Sequence, residues 1–397
     1  MQSENGVVRT LRRSRDEKLH SALELVGSGA QLRAKAIWLT GVERKSGEQI
    51  SAVYFGSGYP HQIFDILFSS YTVQRDETCA IWTAMRRLQE QQAGIDLVIG
   101  GLPWTCYARV RDPRLLHVPS LIVQMLPLPQ RFEDLLEGFR RRSKVRDVRK
   151  MEKLGLTYRV VHATEAIDDF YDHMYVPFAK QRFGAFALIE SRKSIRNAAA
   201  LGGLLQVSLA DRVVGAGVLS RVGELVYFTW LGLPQDVDPE IADVVRGALY
   251  YFTMKHAHGL GASWLHVGYT AGLLEGGIYQ YKRKWGAGVV DDWLLHEVIL
   301  RPQNFNAGVR ACLASQPLIV RQGGELLGKV LLDGPVSAAK LEYLAERYSA
   351  QGMSALKVFT TQPFAAELAQ SQHGSCVPLQ VFDLSRSAEP AADYGRL

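Results

Sequence analysis

Between residues 140 and 153 stand eight basic side chains, Arg140, Arg141, Arg142, Lys144, Arg146, Arg149, Lys150 and Lys153. Only Asp147 and Glu152 oppose them, which leaves +6 in fourteen residues. Cations at this density suit contact with phosphates, of RNA or of a nucleotide-linked substrate, or else a solvated helix face. No aromatic is interleaved with the run, so phosphate contact is favoured over base stacking. A second knot of charge, Lys282-Arg283-Lys284, is flanked by Tyr281 and Trp285. Taken alone it reads as an exposed basic patch between two packing anchors. His256 and His258 sit two apart at a helix end and so face different directions, which fits solvated side chains better than a metal pair. The GSG triplets at 27–29 and 56–58 lack a GxGxxG continuation and read as turns. A GxxxxGK[ST] loop, HExxH, GxSxG and an HxE followed by PCxxC are all absent from the sequence.

The elements that must position these residues follow from periodicity. AKAIWLTGVE and ISAVYFGS read as two strands around a polar turn, IFDILFSS as an apolar run, and 76–94 as an amphipathic helix. IDLVIGGLP and LIVQMLPLP read as strands that end at prolines. From about 130 the character changes. RFEDLLEGFRRRSKVRDVRKMEKLG reads as a helix broken near Ser143 and ending at Gly155. LTYRVVHA is a strand, and TEAIDDFYDHMYVPFAKQRF a helix with Thr164 as its N-cap. LLQVSLADRVVGAGVLSRVGELVYFTWLGL gives three strands that double back at residues 210–212 and 221–223, an antiparallel meander. A helix at 239–258, a strand ASWLHVG, the segment YQYKRKWG and a strand near 292–300 follow. The remainder repeats the mixed pattern with a strand GKVLLDG, a helix at 335–351, and strands ALKVFTT and VPLQVFDLS. The class is α/β, of the α+β kind.

The length of 397 residues exceeds one ordinary domain. A composition of 47% hydrophobic, 22% charged and 10% aromatic residues excludes disordered, collagen-like and coiled-coil chains. Forty-six Lys and Arg against 40 Asp and Glu leave a net +6, which mildly favours an anionic partner. Four scattered cysteines form no CxxC pair, so neither a disulfide framework nor a zinc ribbon is indicated. The polar start MQSENGVVRTLRRSRDEK and the lack of a long apolar run lead us to expect a soluble, cytoplasmic protein without a membrane span.

The order helix, strand, helix, meander, then strand–helix–strand–helix–strand over residues 131–300 resembles the GNAT acyltransferase fold, and within it the Fem-type branch of FemABX peptidyltransferases. Three stretches carry the likeness. They are the basic helix RRRSKVRDVRKMEKLG entering a strand, the meander DRVVGAGVLSRVGELVYFTWLGL, and Tyr281-Lys282-Arg283-Lys284-Trp285-Gly286, which is similar to the family's YK-x-x-F/W-G segment. The resemblance implies two GNAT-like domains around a shared cleft. Residues 131–304 would form the better-preserved domain and 31–130 a degenerate one, completed by 305–385. Residues 1–30 are expected to be flexible and 386–397 a disordered tail.

The same resemblance places Lys282 where the family's lysine meets the acyl donor. A cation there would face the negative charge that develops on the carbonyl oxygen in acyl transfer. Arg283 and Lys284 would help with phosphates, and Arg182-Phe183-Gly184, similar to an Arg–x–Gly segment of the family, would hold a substrate phosphate. Tyr227 and Tyr269 are weaker catalytic candidates, equally explained as core or rim aromatics. Arg141, Arg142, Lys144 and Arg149 would touch the donor, and no residue stands out as a dedicated base. Acyl-CoA enzymes of the superfamily carry R/Q-x-x-G-x-G/A before the long helix. Here PQDVDPEIADVVRGALYY keeps Gln235 and the Arg246-Gly247 pair, lacks the glycine spacing, and sets Asp236, Asp238, Glu240 and Asp243 against a pyrophosphate. The expected donor is therefore an aminoacyl-tRNA and the acceptor an amine on a small molecule, peptide or cell-wall precursor, with no metal or cofactor. The alternatives are an acyl-CoA-dependent N-acyltransferase with acyl-CoA as co-substrate, a non-catalytic RNA-binding GNAT-fold protein, and a membrane-surface protein acting on a lipid-linked substrate.

Overall fold

The computed structural model describes residues 32–57, 60–103, 106, 109–110, 112–138, 141–184, 187, 189–292, 297–365, 368 and 376–397, with the backbone alone for 136–138, 141–145 and 183. The flexible segment expected at 1–30 lies outside the described residues.

The chain runs β1 (Arg33–Glu43), β2 (Gln49–Gly56), α1 (Pro60–Leu67), β3 (Phe68–Ala80), α2 (Ile81–Gln89), β4 (Leu97–Leu102), β5 (Leu116–Pro119) and β6 (Ile122–Pro127). It continues through α3 (Phe132–Gly138), α4 (Arg141–Lys153), β7 (Leu156–Val161), α5 (Thr164–Phe170), a π-helical turn at Tyr171–Tyr175, α6 (Val176–Phe183) and α7 (Arg192–Ala200). The meander β8 (Leu204–Leu209), β9 (Arg212–Val222) and β10 (Leu225–Gly232) precedes α8 (Pro239–Gly259), β11 (Trp264–Thr270), α9 (Gly277–Lys284) and β12 (Gly288–Val290). The last part is β13 (Glu297–Pro302), α10 (Ala307–Ser315), β14 (Leu318–Gln322), β15 (Glu325–Leu332), α11 (Ala338–Tyr348), β16 (Ala355–Thr360), β17 (Leu379–Asp383) and α12 (Pro390–Arg396).

These elements sort into two compact units of mixed α and β structure. Residues 124–268 with 281–288 make a unit central in sequence, and 32–123, 269–280 and 289–397 make a flanking one. The division falls at 123/124, seven residues before the expected boundary, and it assigns 269–280 and the chain from Val289 onward to the flanking unit.

In the flanking unit a six-stranded sheet has the order β3-β1-β2-β4-β13-β5, and a four-stranded sheet the order β14-β15-β16-β17. The expected helix at 76–94 begins only at Ile81. Residues up to Ala80 instead continue β3, paired with β1 from Glu43↔Phe68 to Arg33↔Ala80. The tail is also corrected: residues 390–396 are helical, not disordered. Tyr394 is fully buried against the Phe359 ring, 4.9 Å away, and Lys329 Nζ donates to the Tyr394 and Gly395 carbonyls at 2.8 and 2.9 Å. A large aromatic and a buried amine thus dock a helix whose other residues are small or polar, and Gln322 Nε2 adds a hydrogen bond to the Arg396 carbonyl at 2.7 Å.

The central unit is built on the sheet β12-β6-β11-β10-β9-β8-β7. β7 through β10 pair antiparallel, and β10 pairs parallel with β11. From α4 through α9 this is the element order expected of a GNAT-like unit; the strand expected near 292–300 is β13, which pairs instead with β4 and β5 in the flanking sheet. Helix α8 starts sharply because Asp238 caps it, its Oδ1 accepting from the Glu240 and Ile241 N–H at 2.8 and 3.3 Å, with Pro239 in the first turn. Val245, Ala248, Leu249 and Phe252 bury its inner face in a core with Leu205, Val207, Val226 and Leu265. Thr164 is not an N-cap: Ala163 holds that place and makes no side-chain bond. The basic helix α4 lies on α8 through Met151, and Gly247 makes the approach possible. A Cβ on Gly247 would stand 2.8 Å from Met151 Cε and 3.4 Å from Trp285 Cζ2.

Candidate active site around Lys282

The parallel ladder between β10 and β11 runs from Leu225↔Trp264 to Tyr227↔His266 and stops there, although both strands continue. One residue later the antiparallel ladder of β10 to β9 slips between Phe228 and Leu231. The two strands therefore part beyond Tyr227 and His266. Backbone groups freed from a ladder must find other partners, so such a gap suits an extended ligand.

Lys282 reaches this place from α9. Among the described residues of the central unit it is the only Lys, Arg, Asp or Glu that is buried, at 5% exposure. A Cβ on Gly268 of β11 would lie 3.4 Å from Lys282 Nζ and 4.0 Å from the Phe228 carbonyl oxygen, so the amine stands over the point where the strands separate. Burial pushes its pKa down to about 7, because a charged amine is poorly solvated there. Gly268 has φ +82°, and its N–H donates to Nδ1 of buried His266 at 3.0 Å. The Tyr227 ring lies 4.9 Å from the His266 ring, tilted by 37°.

The neighbours of Lys282 in sequence do other work. Trp285 is buried and stacks on Tyr250 of α8 at 6.4 Å, and Tyr281 meets Tyr250 edge-on at 5.3 Å. The two aromatics are core anchors that orient α9. Burial drives the Tyr281 phenol up to about 12, with Trp285, Arg246 and Arg182 acting in the opposite sense. Its hydroxyl makes no hydrogen bond of good geometry among the described residues. Arg246 is ion-paired to Asp243, and burial and then Arg182 lower its pKa. Arg182 is exposed, with its guanidinium 5.9 Å from the Phe178 ring. Lys284 is ion-paired to Asp147 of α4, which ties the basic helix to α9 and engages that charge within the unit. Arg283 is half-buried and Arg149 exposed. The side chains of Arg141, Arg142 and Lys144 lie outside those described.

The structure thus sets Lys282 over the gap, with Tyr227 at the last paired step before it, and Arg182 and Arg246 around Tyr281. Tyr269 belongs to the flanking unit, where its hydroxyl donates to Asp292 Oδ2 at 3.3 Å. Sequence reasoning missed His266 and Gly268. The available signal was a glycine inside a strand, which marks close approach of another group to the backbone. No three His, Cys, Asp or Glu side chains come together to hold a metal ion among the described residues. No helix among them is long and apolar enough to cross a membrane.

No protein-family profile matches the chain, and a search of curated proteins finds no match. Solved structures similar to it include FemX, at 13% identity and TM-score 0.37 over 66% of this chain and 88% of that one. L-PGS from Bacillus licheniformis is similar at 12% identity and TM-score 0.32, over 68% of this chain and 86% of that one. A GCN5-related N-acetyltransferase from Sphaerobacter thermophilus is similar at 14% identity and TM-score 0.29, over 66% and 79%. At these scores the likeness assigns the chain neither a family nor an activity.

Proposed function

We propose that the chain is an acyltransferase that forms an amide, moving an aminoacyl group from aminoacyl-tRNA to an amine acceptor. The observation that carries this reading is the Lys282 amine, buried over the gap where β10 and β11 part. An acyl arm laid along the gap brings its carbonyl under that amine. When the acceptor nitrogen attacks, negative charge gathers on the carbonyl oxygen, and the Lys282 ammonium stabilises it in a site that water enters poorly. With its pKa near 7, Lys282 is present in both forms at neutral pH. Its neutral form can also take a proton from the acceptor amine, a part for which the sequence offers no dedicated base; collapse of the adduct then breaks the ester C–O bond and releases the tRNA ribose hydroxyl, which takes up that proton. Tyr227 stands beside His266 at the last paired step before the gap.

Aminoacyl-tRNA is favoured over acyl-CoA because the start of α8 is already occupied. Asp238 takes the Glu240 and Ile241 N–H groups, which a pyrophosphate at that helix end would need, and Asp236 is ion-paired to Arg212. The exposed Arg149, with Arg141, Arg142 and Lys144 of the same helix, would meet donor phosphates, and Arg182, Arg246 and Arg283 would add to that contact. Lys284 is held by Asp147, and Tyr269 is given no part in this reading. The acceptor is an amine on a small molecule, a peptide or a cell-wall precursor.

The test is donor consumption. Purified protein is incubated with labelled aminoacyl-tRNA or labelled acyl-CoA and a panel of amines, and protein-dependent loss of each donor is followed. Amide product from aminoacyl-tRNA is the expected result. Turnover of acyl-CoA with no response to charged tRNA would replace the donor, and RNA binding without turnover of either would leave a binding protein.

A further inference from the structure

His266 is 3% exposed and occupies the last paired step of the β10–β11 ladder. Its Nδ1 accepts the Gly268 N–H at 3.0 Å, so in the neutral ring the proton belongs to Nε2. A side chain that bonds the amide two residues along its own strand needs that amide turned out of the extended course. Just past that amide the chain leaves the extended course, Gly268 having φ +82°, a region that residues bearing a Cβ seldom adopt. Lys282 Nζ lies over this backbone, in ordinary contact distance, 3.4 Å, of the place a Cβ on Gly268 would take. Ring, amide and amine therefore meet at one residue: the ring holds the Gly268 N–H, and Nζ lies beside the same residue's Cα.

We propose that His266 is a positioning residue, which holds the Gly268 backbone as the seat for the Lys282 amine by accepting its N–H. The inference rests on the reading of Lys282 as the group at the reacting carbonyl. Without the ring, Gly268 N–H becomes a buried donor lacking its acceptor, so the backbone relaxes and water reaches the amine.

Three variants test it. In His266→Asn the side-chain oxygen can stand near the place of Nδ1, in His266→Gln nearer the place of Nε2, and in His266→Ala neither is kept. The first readout is the rate at which Lys282 is acylated by acetic anhydride across pH, quantified by mass spectrometry of its peptide. Wild type should titrate at about 7. Asn should match it, whereas Gln and Ala should titrate at least about one pH unit higher, a labelling rate lower by about fivefold or more near neutrality. The second readout is kcat for amide formation, which should be kept within about threefold in Asn and fall about tenfold or more in Gln. Should the Ala protein fail to fold, the contrast of Asn with Gln decides. Equal Lys282 titration in wild type, Asn and Gln would overturn the proposal. If titration follows the expected order while wild type forms no amide, the seat stands and the acyl-transfer reading falls.

Discussion

Lys282 combines burial with a titratable amine, and its substitution separates catalysis from folding. Lys282→Met keeps the apolar stem and deletes the charge. If the ammonium faces the developing oxyanion, turnover should fall about 10²–10³-fold, the scale of losing one oxyanion donor, while donor affinity changes far less. Lys282→Arg should restore only part of the rate, since a planar fork presents its charge differently from a compact ammonium. Steady-state kinetics with single-turnover controls would check both, and full turnover in the Met protein would remove Lys282 from the mechanism. Stability should stay within about 1 kcal/mol, because Met keeps the packing of the stem and removes an amine that is costly to desolvate. Lys282 was singled out by the resemblance that Tyr281, Trp285 and Gly286 carry, but its burial was not legible, since taken alone the charged triplet reads as an exposed patch. His266 was not legible, since its role depends on Gly268 turning an amide toward it and on an amine arriving from another helix. No spacing within HVG announces that third partner.

Helix α4 presents basic side chains to solvent on its described part. Its Met151 is buried on α8, Asp147 holds Lys284, and Arg146 and Arg149 are exposed. Replacing Arg141, Arg142, Lys144 and Arg149 by Gln should weaken binding of aminoacyl-tRNA and flatten its dependence on salt. With fewer phosphates neutralised, fewer counterions leave the RNA on binding. Titrations with labelled tRNA at several salt concentrations would read this directly, and an unchanged affinity and slope would make the helix a solvated face. Gly247→Ala probes the same element from below. The new Cβ meets only the flexible end of Met151, which can turn aside, and Ala gains about 1 kcal/mol of helix propensity over Gly, so stability should change by less than about 1 kcal/mol, measured by urea unfolding. Elements with strong periodicity, such as α8 and the β8–β10 meander, were readable because their buried faces repeat at the helix and strand periods. β3 was not, since its residues are mostly exposed and polar and only the long-range pairing with β1 makes FSSYTVQRDETCA a strand. α12 escaped for a similar reason: its order comes from Tyr394 and Lys329, which are 65 residues apart.

Each unit of the molecule carries its own buried lysine, Lys282 in the central one and Lys329 in the flanking one. Burial lowers both from an ordinary 10.5 to about 7, with Lys357 adding to the effect at Lys329. The consequence for stability has a definite sign. Between about pH 7 and 10 the unfolded chain holds protons on these amines that the folded chain has released, so stability rises with pH, by at most a few kcal/mol for each group. Below about pH 7 both states are protonated and the full burial penalty is present. The rise has an upper end, because burial drives the phenols of Tyr250 and Tyr394 above their ordinary 10, and folded phenols then keep protons that unfolded ones lose. Stability should thus climb from about pH 7 to about pH 9.5 and decline beyond about pH 10. Two units need not unfold as one transition, so each must be read separately. Pulse proteolysis in urea, with peptides of residues 124–268 and 297–365 quantified by mass spectrometry, gives a midpoint for each unit at each pH. Lys282→Met should abolish most of the rise in the central unit and leave it in the flanking one, and Lys329→Met should do the reverse. A wild-type protein whose midpoints are level or falling between about pH 7 and 9.5 would show that neither amine is held neutral in the folded chain. In that event Lys282 would enter any reaction as a permanent cation and could not also serve as the proton acceptor.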